Sequence, residues 1–299
     1  MGSEAMYVVT GATGNIGRLI TETLLLKGKR VRAISRSADR LQSLVEKGAI
    51  AFEGELEDGD FVIEAFRDST AVFAMIPPVF QAKNLREYQK NISENIAIAI
   101  EKAGTRYVVN LSSLGAHLSQ GTGILLGSYD HEQRLNEIED INVVHLRPAY
   151  FMENFLGSIG RIKRENIFGS SLRGDIPLAI VATQDVASVA SQYLLDLNFS
   201  GKRTHDLLGE RDLTLLEITK ILGNAIRKPD LKYVQFTYQQ VKDSMISRGI
   251  SESVAEASVE LSKTLNENPH IFDSERTPEK TTKTSIEEFA DTFLAVYEK

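Results

Sequence analysis

MYVVTGATGNIGRLI occupies residues 6–20, close to the start of the 299-residue chain. A short β-branched run leads into three glycines, Gly11, Gly14 and Gly17, and an apolar helical pattern follows them. Between a strand and a helix, such glycines allow a tight turn, let backbone amides approach a pyrophosphate, and permit close packing of the helix on the strand. The motif therefore predicts a dinucleotide site, and a glycine turn that binds no ligand is the alternative.

Beyond this motif, short apolar runs alternate with helical segments up to about residue 150. The runs predicted as strands are MYVVT, RVRAIS, AIAFEG, AVFAMI, RYVVNLS and NVVHLR. Three helices predicted between them end beside glycines, where a left-handed residue commonly ends a helix; they are Asn15 to Lys27 before Gly28, Asp39 to Lys47 before Gly48, and Asn84 to Lys102 before Gly104. The alternation predicts the α/β class, as a Rossmann-type doubly wound parallel sheet covered by helices on both faces.

After Pro148 the alternation loosens. AIVAT is predicted as a brief strand, Gln184 to Asp196 as a helix, and the chain beyond Gly209 as mainly helical with one strand at Lys232 to Thr237. The predicted domains are an NAD(P)-binding Rossmann domain over residues 1–153, to which about residues 178–206 return, and a smaller, mainly α lobe over residues 154–299. We expect this lobe to cover the carboxyl ends of the strands, where open α/β sheets bind ligands.

The composition excludes several classes of function. A net charge of -7 repels polyphosphate, so nucleic acid is not an expected partner. The chain has no Cys, its five histidines lack metal-ligand spacing, and it contains no Gly-x-Ser-x-Gly elbow, so we expect neither a metal site nor a hydrolase. No apolar run reaches the roughly 20 residues of a membrane span, and no signal-peptide pattern precedes Met6. We expect a cytoplasmic protein, and leave open whether residues 1–5 are native.

The residue after the second strand bears on the choice of cofactor. VRAIS ends at Ser35 and is followed by Arg36, where a site that prefers NAD(H) commonly carries an acidic residue. A guanidinium can bind the 2′-phosphate of NADP and stack on adenine, so the sequence favours NADP(H) over NAD(H). The alternative is an arginine on a solvated turn, with Asp39 nearby.

Several segments, taken together and in order, resemble the NmrA-like group of atypical short-chain dehydrogenases, which includes quinone oxidoreductases of the second type. They are TGATGNIG at residues 10–17, LRPAYFMENF at 146–155, ATQDVASVASQYLLD at 182–196 and GKRTHDLLGERDLTLLEITKILG at 201–223. The resemblance covers about residues 6–235.

The resemblance, with the glycine motif, implies a cofactor cleft and a substrate side. The expected cofactor-binding residues are Thr10, Gly11, Thr13, Gly14, Asn15, Ile16 and Gly17 in the glycine loop, Arg36, Glu55 and Leu56 beside the adenine, Met75, Ile76 and Pro77 beside the ribose and nicotinamide, and Ser112 at the nicotinamide. The residues implied on the substrate side are Tyr150, Phe151 and Asn154. For Met75 and Ile76, strand-end core residues are an equal alternative.

The sequence departs from typical short-chain dehydrogenases in its acid-base chemistry. Those enzymes use Tyr-x-x-x-Lys, in which the lysine lowers the pKa of the tyrosine. Here Tyr129 is followed four positions later by Gln133, which carries no charge. The candidate catalytic residues are therefore Tyr129 without a lysine, or His131, whose ordinary pKa suits proton transfer near neutral pH. A hydrogen-bonded helix residue is the alternative for His131.

Two functions of different kinds fit these features. The first is an NADPH-dependent oxidoreductase that transfers hydride to a quinone or a similar electron-poor carbonyl. The second is a non-catalytic redox sensor that binds the dinucleotide and acts through a protein partner, and an aryl or sugar-nucleotide reductase is a third possibility. The apolar stripe of the helix Asn84 to Lys102 indicates core or a subunit contact, so a homodimer stays open.

Overall fold

The computed structural model describes residues 5–299, and residues 1–4, including most of the leading segment whose origin the sequence left open, lie outside that range. The strands are β1 (Met6–Val9), β2 (Arg30–Ser35), β3 (Ile50–Glu53), β4 (Ser69–Met75), β5 (Tyr107–Leu111), β6 (Asn142–Pro148), β7 (Tyr150–Phe151), β8 (Ile167–Ser170), β9 (Leu178–Val181), β10 (Lys202–Leu207), β11 (Asp212–Leu213) and β12 (Lys232–Gln235).

The helices alternate with these strands over the first half of the chain. They are α1 (Asn15–Leu26), α2 (Ala38–Val45), α3 (Gly59–Phe66), α4 (Leu85–Ala103), α5 (Leu126–Glu137), α6 (Ile159–Glu165), α7 (Thr183–Asp196), α8 (Leu215–Ala225), α9 (Tyr238–Ser247), α10 (Glu252–Glu267) and α11 (Ile286–Tyr297), with short 3-10 helices at Gly123–Leu125 and Met152–Ser158. The three predicted glycine stops are confirmed, since Gly28, Gly48 and Gly104 have φ values of 70°, 100° and 63°.

A seven-stranded parallel sheet forms the centre of the molecule, in the order β10-β6-β5-β4-β1-β2-β3. The chain moves outward from β1 in one direction through β2 and β3, and in the other through β4, β5 and β6. The predicted α/β class with a Rossmann-type doubly wound sheet is thereby confirmed. In such a sheet, ligands bind at the carboxyl edge where the strand order reverses, here between β1 and β4.

Each face of the sheet carries its own apolar core, because successive strand residues point to opposite faces. Tyr7 and Val9 of β1 belong to the core under α1, α2 and α7, whereas Val8 belongs to the core under α3, α4 and α5. The apolar stripe of α4, including Ile92 and Ile96, is buried in this second core, which accounts for the helical periodicity of that segment.

The rest of the chain divides between the central sheet and a third core. α7 packs against α1, and β10 joins the edge of the central sheet. β9 instead lies in a small sheet with β7 and β11, and β12 pairs with β8. The third core gathers side chains of α6, α8, α11 and the 3-10 helix Met152–Ser158. The sequence did not predict β7, β8, β10 or β11, and for β7 and β11 the reason is that two residues give too short a pattern to recognise.

The glycine motif works by removing side chains from a crowded contact between α1 and the loop before it. A Cβ on Gly17 would lie 2.3 Å from the carbonyl oxygen of Gly11, far inside normal contact. Gly11 itself has a φ of 60°, which favours glycine. Helix α1 can therefore begin directly against the end of β1.

We expect Gly17→Ala to lower the free energy of unfolding by about 1–3 kcal/mol, because the methyl group must displace backbone. The matched control is Gly157→Ala, where a Cβ would meet nothing within 4 Å and the change should stay within about 0.5 kcal/mol. Urea unfolding of the two variants measures the difference, and equal stabilities would show that the Gly11–Gly17 contact tolerates a side chain.

Candidate functional site

The glycine loop is tied to both neighbouring strands at the carboxyl edge of the sheet. The Thr10 hydroxyl donates to the carbonyl of Phe73 at 3.1 Å and accepts from the amide of Met75 at 3.0 Å. The amide of Ala12 donates to the carbonyl of Ile34 at 3.1 Å. Thr10 was expected beside the cofactor. Its side chain is fully buried and fixes the loop to β4.

The first turn of α1 offers backbone amides to an anion. Gly14 is the N-cap residue, no side chain caps the helix, and its first turn contains no acidic residue. Asn15 is exposed, whereas the side chain of Ile16 is buried in the core, so Ile16 can meet a ligand only through its backbone. Such a helix N-terminus binds the negative charge of a pyrophosphate.

Two arginines lie near the glycine loop, one just after β2 and one in the first turn of α2. Arg36 follows β2 directly and is exposed. Arg40, which the sequence reasoning missed, lies in α2 and donates from Nη2 to the carbonyl of Thr13 at 3.2 Å. The Thr13 hydroxyl lies 3.1 Å from that of Ser35. In the sequence, Arg40 follows Arg36 by four positions, and this spacing could have indicated a second cation beside the glycine loop.

The predicted adenine side also includes a residue of α4. Glu55 is exposed and Leu56 is buried. Burial raises the pKa of the half-buried Tyr88 to about 12, and the charges of Glu57, Arg36 and Glu55 act on it as well. Tyr88 therefore lies near Arg36, although its sequence position suggested only the core stripe of a helix.

The residues after β4 contact the glycine loop. The Met75 sulfur lies 2.7 Å from the place where a Cβ of Gly11 would be, so its side chain rests directly on the loop. Met75 and Ile76 also pack against opposite cores, which is the strand-end role that the sequence left as an alternative. Pro77 is partly exposed.

Ser112 faces an ion pair with a buried carboxylate rather than open space. Its hydroxyl donates to Oε1 of Glu132 at 2.5 Å, and Glu132 is 1% exposed. Arg147 binds the same carboxylate twice, from Nε at 2.9 Å and from Nη2 at 2.5 Å, and these hydrogen bonds raise the pKa of the guanidinium. The sequence analysis did not single out Glu132 or Arg147, because nothing in the sequence shows that these residues, 15 positions apart, form a pair, although Arg147 lies within the segment LRPAYFMENF.

The candidate acid-base residues on α5 point in different directions. Tyr129 is partly exposed, and the uncharged Gln133 at the position of the missing lysine is exposed. His131 is 1% exposed and lies between α4 and α5, with Nδ1 2.8 Å from the hydroxyl of Ser93. Burial lowers its pKa to about 3. The buried position and the Ser93 contact fit the alternative left open for His131, a hydrogen-bonded helix residue, and catalytic roles for His131 and Tyr129 stay predictions.

The residues implied on the substrate side follow β6. Tyr150 is 41% exposed and packs on Phe155 with ring centroids 5.4 Å apart. Asn154 is exposed and forms a side-chain hydrogen bond with Tyr150. Phe151 is partly buried against the core under α1 and α7. The structure therefore brings Tyr150 and Asn154 together, while Phe151 turns toward the sheet.

Helix α10 crosses the loops that follow β4 and β5, and we call it the cover helix. At its start, the amide of Ser251 donates to the carbonyl of Phe80 and its hydroxyl to that of Ala82, both at 2.7 Å. The hydroxyl of Ser253 accepts from the amide of Leu85 at 3.0 Å.

The other end of the cover helix contacts the loop after β5. The Thr264 hydroxyl donates to the carbonyl of Gly121, and a Cβ on Gly123 would overlap the carbonyl of Ala257. Phe272, in the segment after the cover helix, packs on Gly115. The carboxyl edge of the sheet is thus partly closed by residues about 130 to 170 positions further along the chain.

Residues 5–299 contain neither a metal-binding cluster nor a membrane-spanning helix. No group of three or more His, Asp or Glu side chains is arranged to hold a metal ion. Within the same range, no helix is long and apolar enough to cross a membrane.

The family model of the NmrA-like family matches residues 4–290. The chain belongs to this family. Among curated relatives, this NmrA-like protein is 25% identical to the NAD(P)H azoreductase of Xenophilus azovorans, over 86% of each chain. It is 24% identical to quinone oxidoreductase 2 of Escherichia coli, over 92% of this chain and 93% of the relative. The expected family is confirmed, and these relatives support the expected oxidoreductase class of enzyme.

Solved structures match almost the whole NmrA-like chain. A triphenylmethane reductase from a Citrobacter species superposes with a TM-score of 0.80 at 18% identity, covering 97% of this chain and 99% of the other. An NADPH-dependent quinone oxidoreductase from Escherichia coli superposes with a TM-score of 0.74 at 20% identity, covering 96% and 99%. At these identities the likeness establishes the fold.

The buried His131 makes stability depend on pH. The pKa of His131 is lower in the folded chain than in the unfolded chain. Below about pH 6.5 the unfolded chain therefore binds a proton at His131 that the folded chain does not bind. The contribution of the neutral His131 to the free energy of unfolding is fully present above that pH and decreases as the pH falls. We expect His131→Asn to reduce the loss between pH 7 and pH 5 by about 2 kcal/mol, as measured by urea unfolding at both values.

The control for this prediction is His117→Asn, at an exposed position. It should keep the loss of stability of the parent protein. If His131→Asn keeps it too, His131 binds a proton as readily in the folded chain as in the unfolded chain.

Proposed function

We propose that this NmrA-like protein is an NADPH-dependent oxidoreductase that reduces a quinone or a similar electron-poor acceptor. The observation that carries the proposal is the uncapped start of α1 against the glycine loop, with Arg36 and Arg40 beside it. The relatives named as azoreductase and quinone oxidoreductase support the same class of reaction.

The residues of the loop fit a dinucleotide that carries a third phosphate. The first-turn amides of α1 would hold the pyrophosphate, and the two guanidiniums would hold the 2′-phosphate. Leu56 and Tyr88 would border the adenine. NADPH supplies a hydride when bound, and the protein supplies orientation and shelter from water.

The chemistry proposed for the substrate suits a site without a Tyr-Lys pair. A reduced quinone is a phenol, with a pKa of about 10, whereas an alkoxide is a base nearly as strong as hydroxide. The oxyanion therefore needs little help from an acid, and Tyr129 or water would protonate it. The exposed ring of Tyr150, backed by Phe155, offers an apolar wall to a flat acceptor.

The test is turnover. Purified protein with NADPH and a panel of small quinones and azo dyes should consume NADPH above the enzyme-free rate. Tight NADPH binding without turnover of any acceptor would contradict the enzyme and favour a redox sensor that acts through a protein partner, which the exposed Gln133 in place of a lysine also allows. A cytoplasmic location, a homodimer and the two-domain division stay predictions.

Cofactor preference provides a separate prediction. Arg36→Ala and Arg40→Ala should each raise the Kd for NADPH about 10- to 100-fold, the usual effect of losing hydrogen bonds to a charged group. The Kd for NADH, which lacks the 2′-phosphate, should change less than about threefold. Isothermal titration with both dinucleotides measures this.

The matched control is Arg164→Ala, an exposed arginine on α6 away from the loop. It should leave both affinities unchanged. Equal losses of NADPH and NADH affinity in the Arg36 and Arg40 variants would remove the case for 2′-phosphate recognition.

A further inference from the structure

We propose that Glu132 and Arg147 are positioning residues that fix the Ser112 hydroxyl as a hydrogen-bond acceptor for the carboxamide N–H of the nicotinamide. This inference rests on the proposed function and deepens it. A serine hydroxyl can both donate and accept, and one whose proton is free would offer it to a ligand. The direction of the Ser112 hydrogen bond assigns the opposite polarity to this chain.

The position of Ser112 follows from the register of the sheet. Leu111, the last residue of β5, pairs with Met75 of β4, and the Met75 side chain rests on Gly11 of the glycine loop. Ser112 is the next residue, and its amide donates to the carbonyl of Leu146 at 2.8 Å. It therefore lies at the carboxyl edge, two strands from the loop proposed to hold the pyrophosphate.

The direction of the hydroxyl follows from its partner. A carboxylate has no proton to donate, so at 2.5 Å the Ser112 hydroxyl must donate to Glu132. Arg147 donates to both oxygens of that carboxylate from the other side. With its proton committed, Ser112 has only oxygen lone pairs left for a ligand. Because Ser112 is 7% exposed, only a group pressed against the end of β5 can reach it.

The ion pair has a second connection that leads away from the site. Arg147 lies beside Asp206 in the register of β6 and β10, and the charge of Asp206 acts on its guanidinium. Asp206 in turn accepts from Ser274 at 2.7 Å and pairs with Lys280 at 3.2 Å. A buried ion pair gains little stability over apolar residues of the same size. Stability alone therefore does not account for this pair, whereas a role in fixing the direction of the Ser112 hydrogen bond does.

The experiment compares two ligands that differ in the nicotinamide. NADPH carries it, whereas 2′,5′-ADP keeps the adenosine and the 2′-phosphate without it. Ser112→Ala should raise the Kd for NADPH about 3- to 10-fold, the effect of losing one neutral hydrogen bond, and leave the Kd for 2′,5′-ADP within about twofold. Ser112→Thr, which keeps the hydroxyl, should restore NADPH binding.

A double variant tests the polarity itself. In Glu132→Gln with Arg147→Met, the new amide can donate to Ser112 and no buried guanidinium is left unpaired, so the hydroxyl is no longer forced to donate inward. Because its orientation is no longer fixed, the hydroxyl should bind NADPH less well than in the parent protein but no worse than in Ser112→Ala, and Ser112→Ala should cost less NADPH affinity in the double variant than in the parent. The control is Arg173→Met with Asp175→Asn, an exposed ion pair, which should change neither affinity.

The outcomes separate this inference from the proposed function. If the parent protein binds neither ligand, the proposed function fails and this role fails with it. If the parent binds both and turns over quinones, but Ser112→Ala weakens both ligands equally or neither, only the role of Ser112 is overturned. Ser112→Ala decides whether Ser112 contacts the nicotinamide, and the double variant decides whether Glu132 and Arg147 fix its hydroxyl.

Discussion

The contact between Gly17 and the carbonyl of Gly11 is the constraint on which the rest of the molecule depends. It lets α1 start flush against the end of β1, so that its uncapped amides face the carboxyl edge of the sheet. Thr10 and Ala12 then fix the loop to β4 and β2 on either side. A short run of sequence thereby joins the turn, the packing of the first helix and the proposed anion site.

The sequence predicted the features that repeat or carry a motif. The parallel sheet, the helices ended by glycines and the NmrA-like family are all confirmed, because each depends on local patterns that recur along the chain. The two-residue strands β7 and β11 were missed, since their pairing depends on partners that no local pattern reveals. Leu213 of β11 belongs to the third core, whereas Phe151 of β7 packs against the core under α1 and α7.

The candidate site was predicted less completely, for a different reason. Glycines and Arg36 could be placed from their spacing after strands, but a side chain's partner cannot. Nothing in the sequence shows that Ser112 meets Glu132, or that His131 turns toward Ser93. Residues that are neighbours on α5 thus have unrelated surroundings, one an ion pair and the other a buried neutral imidazole.

The cover helix also has a consequence for how this protein can vary. Its serines supply the partners for backbone groups at residues 80–85, so the loop after β4 is completed by a segment from the far end of the chain. Exchanging the C-terminal third for that of another protein would remove the hydrogen-bond donors of the Phe80 and Ala82 carbonyls. Chimeras that respect this dependence must transplant both segments as one unit.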